Sequence, residues 1–248
     1  MVLVEKDVII YGLRPVIEAI NAGKEVDKIL IQKGLRSEVF SELRAQLAEH
    51  SIPYQFVPIE KLNRITTKNH QGIIAYISNV SYSEIENIIP YVFEKGKSPF
   101  ILVLDRITDV RNFGAIARTA VCAGCDAIVI PYYNSVRISA DAIKSSAGAL
   151  HKIPVCRSKS LIKTVEFLKS SGLQIIACTE KAENLYHEPD MTVPTAVIMG
   201  SEEDGITEIL IKAADEKVKI PMTAEIASLN VSVACGIILF EAVKQRSK

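Results

Sequence analysis

Two spacings of apolar residues alternate along the chain. From Phe100 onward, short β-branched runs recur, ILVLD, AIVIP, QIIACT, TAVIMG and KVKIP, of the kind that forms strands buried on both faces of a parallel sheet. Between them, NFGAIARTAVCAG, ISADAIKSSAGAL and SLIKTVEFLKSSG read as helices. This alternation predicts an α/β fold with a parallel sheet and helices on both faces. Ahead of it lies a shorter alternation. YGLRPVIEAINAG is a helix stopping at Gly23, VDKILIQ a strand, and LRSEVFSELRAQLAEH a helix with Leu35, Val39, Leu43 and Leu47 at helical spacing. YQFVP, the helical IEKLNRI and the strand GIIAYI complete a small α/β unit ending near Ser78. In residues 79–98 an amphipathic helix is interrupted at Pro90 and followed by Gly and Pro, which marks a boundary. The expected domains are therefore 1–78 and 99–248, joined by a linker at 79–98.

The segment IASLNVSVACG, residues 226–236, is ambiguous. Ser228, Asn230 and Ser232 could line one face of a half-buried strand. Strict alternation then fails at Ala234-Cys235, whereas Val231, Ala234, Cys235, Ile238, Leu239 and Ala242 follow a helical series. The segment therefore reads as a loop entering a helix, with Asn230 or Ser228 able to cap it. Val233, Ile237 and Phe240 fall off the core stripe and could face a partner.

In parallel sheets, ligands bind beyond the carboxyl ends of the strands. After ILVLD comes RITDVRNFGAIARTA, where Asn112 is a candidate N-cap and Gly114 would allow close packing in the first turn. Arg111 and Arg118, seven apart, project to nearly the same side; they suit either a phosphate or a solvated arginine pair. After TAVIM, Gly200 and Gly205 bracket Glu202, Glu203 and Asp204. The turn is not G-x-G-x-x-G and has no P-loop lysine. Its carboxylates would repel a triphosphate; they suit hydroxyls, amines or a cation, or they cap the following helix.

Composition narrows the function classes only a little. The chain has 248 residues, 48% apolar and 23% charged, with a formal net charge of zero. It lacks an apolar run of the roughly 20 residues needed to span a bilayer and a signal-peptide pattern, so a cytoplasmic protein without a membrane partner is expected. Five cysteines, an odd number, suit a reducing compartment. Cys122 and Cys125 form a C-x-x-C pair, but no second pair follows, and His50, His70, His151 and His187 are scattered. Packing explains the cysteines better than metal or redox chemistry, and no metal is expected.

In order and spacing, NFGAIARTA, VIMGSEEDGI and IPMTAEIASLNVSVACGIILFEAVKQR resemble the three signature motifs of the SpoU (TrmH) family of RNA ribose 2′-O-methyltransferases, in the SPOUT class. The likeness runs from about residue 100 to the end. YGLRPVIEAI and NHQGIIAYI are similar to the RNA-binding extension of the subgroup that contains the bacterial large-subunit (23S) rRNA guanosine methyltransferase. The resemblance implies a C-terminal trefoil knot, S-adenosylmethionine as cofactor, and a homodimer completing each site. It places Thr179, Gly200, Ile220, Met222 and Leu229 at the cofactor. Asn112, Arg118, Glu202, Ser228 and Asn230 fall around the transferred methyl and the ribose. Val110, Phe113, Ala224 and Ala227 depart from the family's usual residues. The implied activity is methylation of a guanosine ribose in large-subunit rRNA, with tRNA methylation and non-catalytic RNA binding through Arg36, Arg44, Arg64 and Lys68 as alternatives. A dinucleotide-dependent oxidoreductase would need a glycine-rich turn after its first strand, whereas here the glycines cluster late.

Overall fold

The computed structural model describes residues 8–223 and 228–247. They divide into two compact units.

The first unit runs to Ser81 and includes Arg137–Ala140, so that it takes the first residue of a helix that otherwise belongs to the second unit. It contains β1 (Ile9–Tyr11), α1 (Leu13–Asn21), β2 (Val26–Gln32), α2 (Glu38–Glu49), β3 (Tyr54–Val57), α3 (Ile59–Ile65) and β4 (Ile73–Ile77). The sheet order is β1-β4-β2-β3, with β4 antiparallel to β1 and β2, and β3 parallel to β2. The apolar run in β2 has partners on both sides. Ile29 and Ile31 pack with Val16, Leu43 and Leu47 from α1 and α2, while Leu30 packs with Leu62 of α3. Ser37 caps α2, accepting from the Phe40 N–H at 3.1 Å.

The second unit holds β5 (Tyr82–Ser83), α4 (Ile85–Glu94), β6 (Phe100–Leu104), α5 (Val110–Cys122), β7 (Ala127–Pro131), α6 (Ala140–Ser145), β8 (Val155–Ser158), α7 (Leu161–Ser170), β9 (Gln174–Cys178), β10 (Asn184–Leu185), β11 (Thr195–Met199), α8 (Glu208–Ala213), β12 (Glu216–Lys219) and α9 (Val231–Arg246). Among the described residues its sheet has eight strands, ordered β10-β12-β9-β11-β6-β7-β8-β5, with every neighbouring pair parallel. The five runs recognised in the sequence are the contiguous block from β12 to β7. The three strands without a sequence signal flank it. Ile101 and Val103 of β6 share one core cluster with Ile85 and Ile89 of α4, Val165 of α7 and Leu210 of α8. Phe100 lies on the opposite face, where the Arg246 guanidinium of α9 stacks 4.6 Å from its ring.

Residues 79–98, read from the sequence as a linker, hold β5 and α4. The division by compactness falls between Ser81 and Tyr82 because Ile85 and Ile89 are core residues of the second unit. ISADAIKSSAGAL does not form one helix. Left-handed residues at Ala147 (φ 50°) and Gly148 (φ 81°) split it into α6 and a single 3-10 turn at Ala149–His151. No described helix is long and apolar enough to cross a membrane.

The chain builds β6, β7 and β8 outward in one direction, then returns to the other side of β6 with β9 and inserts β11 between them. Strand order reverses at β6 and β11. Such a switch point opens a crevice at the carboxyl ends of the strands.

Candidate active site

A pocket of about 360 Å3 lies beside that crevice, beyond the ends of β9, β11 and β12. Thr179, Gly200, Ile220, Met222 and Leu229 all line it, together with Glu202 and Ser228. Its walls include four carboxylates, Glu180, Glu202, Glu203 and Asp204, against two ammonium groups, Lys181 and Lys219. Such a lining favours a cationic ligand over a phosphorylated one.

The turn after β11 forms one side of the pocket, and its shape is fixed by close backbone contacts. Ser201 and Gly205 exchange backbone hydrogen bonds at 3.2 and 3.0 Å, and Gly205 is left-handed (φ 64°). A Cβ on Gly200 would run into the backbone of Gly205 and Ile206, so only glycine fits there. Two residues overlooked in the sequence hold this turn. Buried Asp105, just past β6, accepts from the Thr207 N–H at 2.6 Å and its hydroxyl at 2.5 Å. Arg106 donates to Asp204 Oδ2 at 3.0 Å and to the Gly205 carbonyl at 3.1 Å. It does so from a left-handed backbone (φ 58°), a conformation no sequence pattern announces for arginine.

Asp109 is the N-cap of α5, accepting from the Arg111 and Asn112 N–H groups, each at 2.8 Å. The expected cap at Asn112 is therefore corrected: the helix starts three residues earlier, and the Asn112 side chain is left for other partners. The aspartate was a legible cap candidate, since it is favoured there as strongly as asparagine. Gly114 follows in the first turns, where a Cβ would fall on Ser145 of α6; the close approach expected of it is present.

The freed Asn112 amide donates to Glu202 Oε1 at 3.1 Å, and its carbonyl oxygen accepts from Asn230 Nδ2 at 3.0 Å. Asn230 Nδ2 also donates to Glu202 Oε1 at 2.6 Å, and the Val231 N–H does so at 3.1 Å. Asn230 Oδ1 caps α9, accepting from the Ser232 N–H at 2.9 Å and the Ser232 hydroxyl at 2.5 Å. Three segments far apart in sequence thus meet on one carboxylate oxygen. Glu202 sits at the N-terminus of α9, where a helix dipole favours a negative charge, rather than capping α8. The N-cap of α8 is Thr207, whose hydroxyl donates to Asp105 instead of accepting from a helix N–H.

Arg118 lies apart from this cluster. It is exposed on α5, does not line the pocket, and has no bonded partner among the described residues. Arg111 is likewise exposed. Ala224 and Ala227, two of the departures from the family pattern, lie outside the described residues. Cys122 ends α5 and Cys125 follows in the next turn, both with free thiols; burial pushes the Cys125 thiol well up. No cluster of three or more His, Cys, Asp or Glu among the described residues could hold a metal ion.

A parallel sheet with an acidic pocket beyond the ends of β9, β11 and β12, preceded by a smaller four-stranded unit, defines a two-part α/β ligand-binding protein. The SpoU rRNA Methylase family model matches residues 99–240, and the model for RNA 2′-O ribose methyltransferase substrate binding matches residues 9–83. The chain belongs to the SpoU/TrmH family of RNA methyltransferases. It is 30% identical over 238 residues to the "Putative TrmH family tRNA/rRNA methyltransferase YacO" of Bacillus subtilis, covering 96% of each chain. A Staphylococcus saprophyticus protein of the same family description is 32% identical over 242 residues, covering 98% of this chain and 97% of its own. Among solved structures, the SpoU methyltransferase AviRb from Streptomyces viridochromogenes, in complex with the cofactor AdoMet, matches in fold with a TM-score of 0.61. It shares 23% identity, over 97% of this chain and 91% of its own. The A. aeolicus TrmH/SpoU tRNA modifying enzyme matches with a TM-score of 0.56 and 28% identity, over 66% of this chain and 84% of its own.

Proposed function

We propose that the chain transfers a methyl group from S-adenosylmethionine to a ribose 2′-hydroxyl, at a guanosine of large-subunit rRNA, and works in the cytoplasm. The observation that carries this reading is the Glu202–Asn112–Asn230 cluster at the edge of an acidic pocket. The residues fit the cofactor. Ile220, Met222 and Leu229 offer apolar contacts for an adenine, Thr179 a hydroxyl for polar groups, and the surplus of carboxylates suits a sulfonium. When bound, S-adenosylmethionine supplies a methyl on a positively charged sulfur. Ser228 and the remaining N–H of the Asn112 amide offer hydrogen bonds to orient the ribose, with Asn230 holding Asn112 in place, since transfer needs the 2′-oxygen in line with the methyl.

The 2′-hydroxyl must lose its proton, to solvent water at a site whose Ser228 and Asn230 are exposed, as the new O–C bond forms. A guanidinium is a poor base, so Arg118 anchors the adjacent phosphate and stabilises charge developing on the oxygen. Its place outside the pocket, together with the exposed Val233 and Phe240 on α9, supports a homodimer in which Arg118 serves the partner's site. The meeting of the Asn230 segment with the Ser201–Gly205 turn supports a knotted return of the C-terminal segment. The first unit, matched by a substrate-binding model, is the RNA-binding domain.

Two assays test the reading. S-adenosylmethionine and S-adenosylhomocysteine should raise the melting temperature and NAD should not; stabilisation by NAD alone would overturn it. Arg118→Ala should abolish transfer while leaving cofactor affinity largely intact. Relatives described as tRNA/rRNA methyltransferases make tRNA the second candidate. Mapping ribose methylation across rRNA and tRNA in a deletion strain decides between the two.

A further inference from the structure

The loop after β7 carries an aromatic group that the methyl-transfer cluster does not use. Tyr133 is 59% exposed, the most of any large apolar or aromatic side chain among the described residues. Exposing a ring of this size wastes burial it could have contributed to folding. The loop that presents it is nonetheless pinned at both ends. The Tyr132 N–H donates to the Ser158 carbonyl at 2.9 Å, extending the β7–β8 pairing, and the Val136 N–H donates to the Ile107 carbonyl at 2.9 Å. Asn134, left-handed at φ 54°, makes the bend between these ties.

Both ties bear on position. Ile107 lies in the short loop between β6 and α5, two residues before the Asp109 cap and five before Asn112. The Tyr133 loop is thus fastened to the segment that presents Asn112. Strands β11, β6 and β7 are consecutive neighbours, so the end of β7 lies about 10 Å along the sheet edge from the end of β11. Behind Tyr133 stands a row of flat groups. Its ring centroid is 6.3 Å from that of Tyr132; the Arg157 guanidinium faces Tyr132 at 5.5 Å and stacks on Tyr82 at 4.0 Å.

We propose that Tyr133 is a stacking platform for an unpaired base of the RNA substrate, next to the nucleotide whose ribose is methylated. RNA recognition outside helical regions uses splayed bases stacked on aromatic rings and guanidinium planes. A rigidly held, exposed tyrosine at the ligand-binding edge, one strand from the Asn112 helix, offers such a surface. The exposed Arg111 and Arg118 on that helix supply charge for the connecting phosphates. The inference rests on RNA being the substrate of the pocket's chemistry.

The chain contains no tryptophan, so Tyr133→Trp introduces a single indole at the platform, excited selectively beyond the absorption of the tyrosines. Large-subunit rRNA transcript, bulk tRNA and a short mixed-sequence oligoribonucleotide are each titrated into this variant. Tyr91→Trp, at an exposed site on α4, is the control. RNA should quench the platform fluorophore and leave the control unchanged. Tyr133→Ala should raise KM for the methylated RNA roughly tenfold, as loss of one base–aromatic stack does, with kcat and S-adenosylmethionine affinity unchanged; Tyr133→Phe should restore KM. Equal quenching at both sites, or wild-type KM in Tyr133→Ala, would overturn the proposal. So would fluorescence that follows protein concentration rather than RNA, which would assign Tyr133 to a contact between copies of the chain. If wild-type protein methylates neither RNA while the platform still quenches, the proposed reaction fails and the platform stands; the reverse result removes the platform alone.

Discussion

Replacing Glu202 tests the site at its most connected atom. Its Oε1 accepts from the Asn112 amide, the Asn230 amide and the Val231 N–H, so Glu202→Ala removes three donors' partner at once and leaves the first turn of α9 without its counter-charge. A hydrogen bond to a charged group contributes about 1.5–3 kcal/mol when shielded. Glu202 and Asn230 are exposed, and water can replace part of what is lost. About 0.5 kcal/mol per bond is the fitting figure, with a further ~0.5 kcal/mol for the helix dipole. The expected destabilisation is about 2 kcal/mol, a fall in Tm of roughly 4–8 °C for a chain of this size. Glu202→Gln keeps an acceptor oxygen in reach and should lose about half as much. Activity should suffer more than stability, because Asn112 and Asn230 lose the anchor that fixes their amides. Displacement of such groups by about 1 Å costs on the order of 100-fold. Thermal melts and single-turnover methyl transfer at saturating cofactor measure the two effects. An alanine variant that melts within 1 °C of wild type and transfers methyl at the wild-type rate would show that Glu202 does not anchor these amides.

Arg106→Gly and Arg106→Ala both remove the clamp on Asp204 and Gly205, and both should weaken cofactor binding. Because residue 106 is left-handed, the glycine variant should be more stable than the alanine variant by about 1 kcal/mol; equal melts would show that the backbone conformation does not matter. Arg246 donates to the carbonyls of Ser98, Pro99, Met191 and Val193. Lysine cannot reproduce this fork, so Arg246→Lys should cost about 2 kcal/mol, read as a lower Tm, with methyl transfer per folded molecule unchanged. Among the thiols, exposed Cys122 should react first with a disulfide reagent at pH 8, and buried Cys125, Cys156 and Cys235 only on unfolding. Cys178 lines the pocket, and burial pushes its thiol up to about 12. Its thiolate fraction at pH 8 is then on the order of 10⁻⁴, so it should react slowly, and more slowly still with S-adenosylhomocysteine present.

The sequence was most legible where burial leaves only one kind of side chain. In the block β12-β9-β11-β6-β7, residues such as Ile101 and Val103 face one layer of helices while Leu102 faces the other, and both faces demand β-branched or aliphatic groups. The flanking strands answer to fewer neighbours. In β8, Val155 and Cys156 are buried but Arg157 is not, and β5 and β10 have two residues each, too few for any period to register. The residues around Glu202 were legible through family likeness. Their contacts were not, because Asn112 and Glu202 are 90 positions apart and nothing local encodes their meeting. Arg106 was invisible for a different reason: its role depends on a backbone angle, and arginine carries no signal for that angle.

At Asn230 of IASLNVSVACG, capping α9 and bonding to Glu202 and Asn112 do not compete. The amide has two ends, and each meets a different demand. Oδ1 satisfies the orphan N–H of Ser232 at the start of α9, while Nδ2 donates to Glu202 and to Asn112. Serine and aspartate are equally good caps, but neither could do both. A serine hydroxyl has one proton and too short a reach, and an aspartate beside Glu202 would present a second negative charge with no donor. The helix requirement alone therefore leaves several residues acceptable, and the carboxylate narrows them to an amide. That amide has its orientation fixed by the cap, which makes the start of α9 the element that holds the polar cluster together.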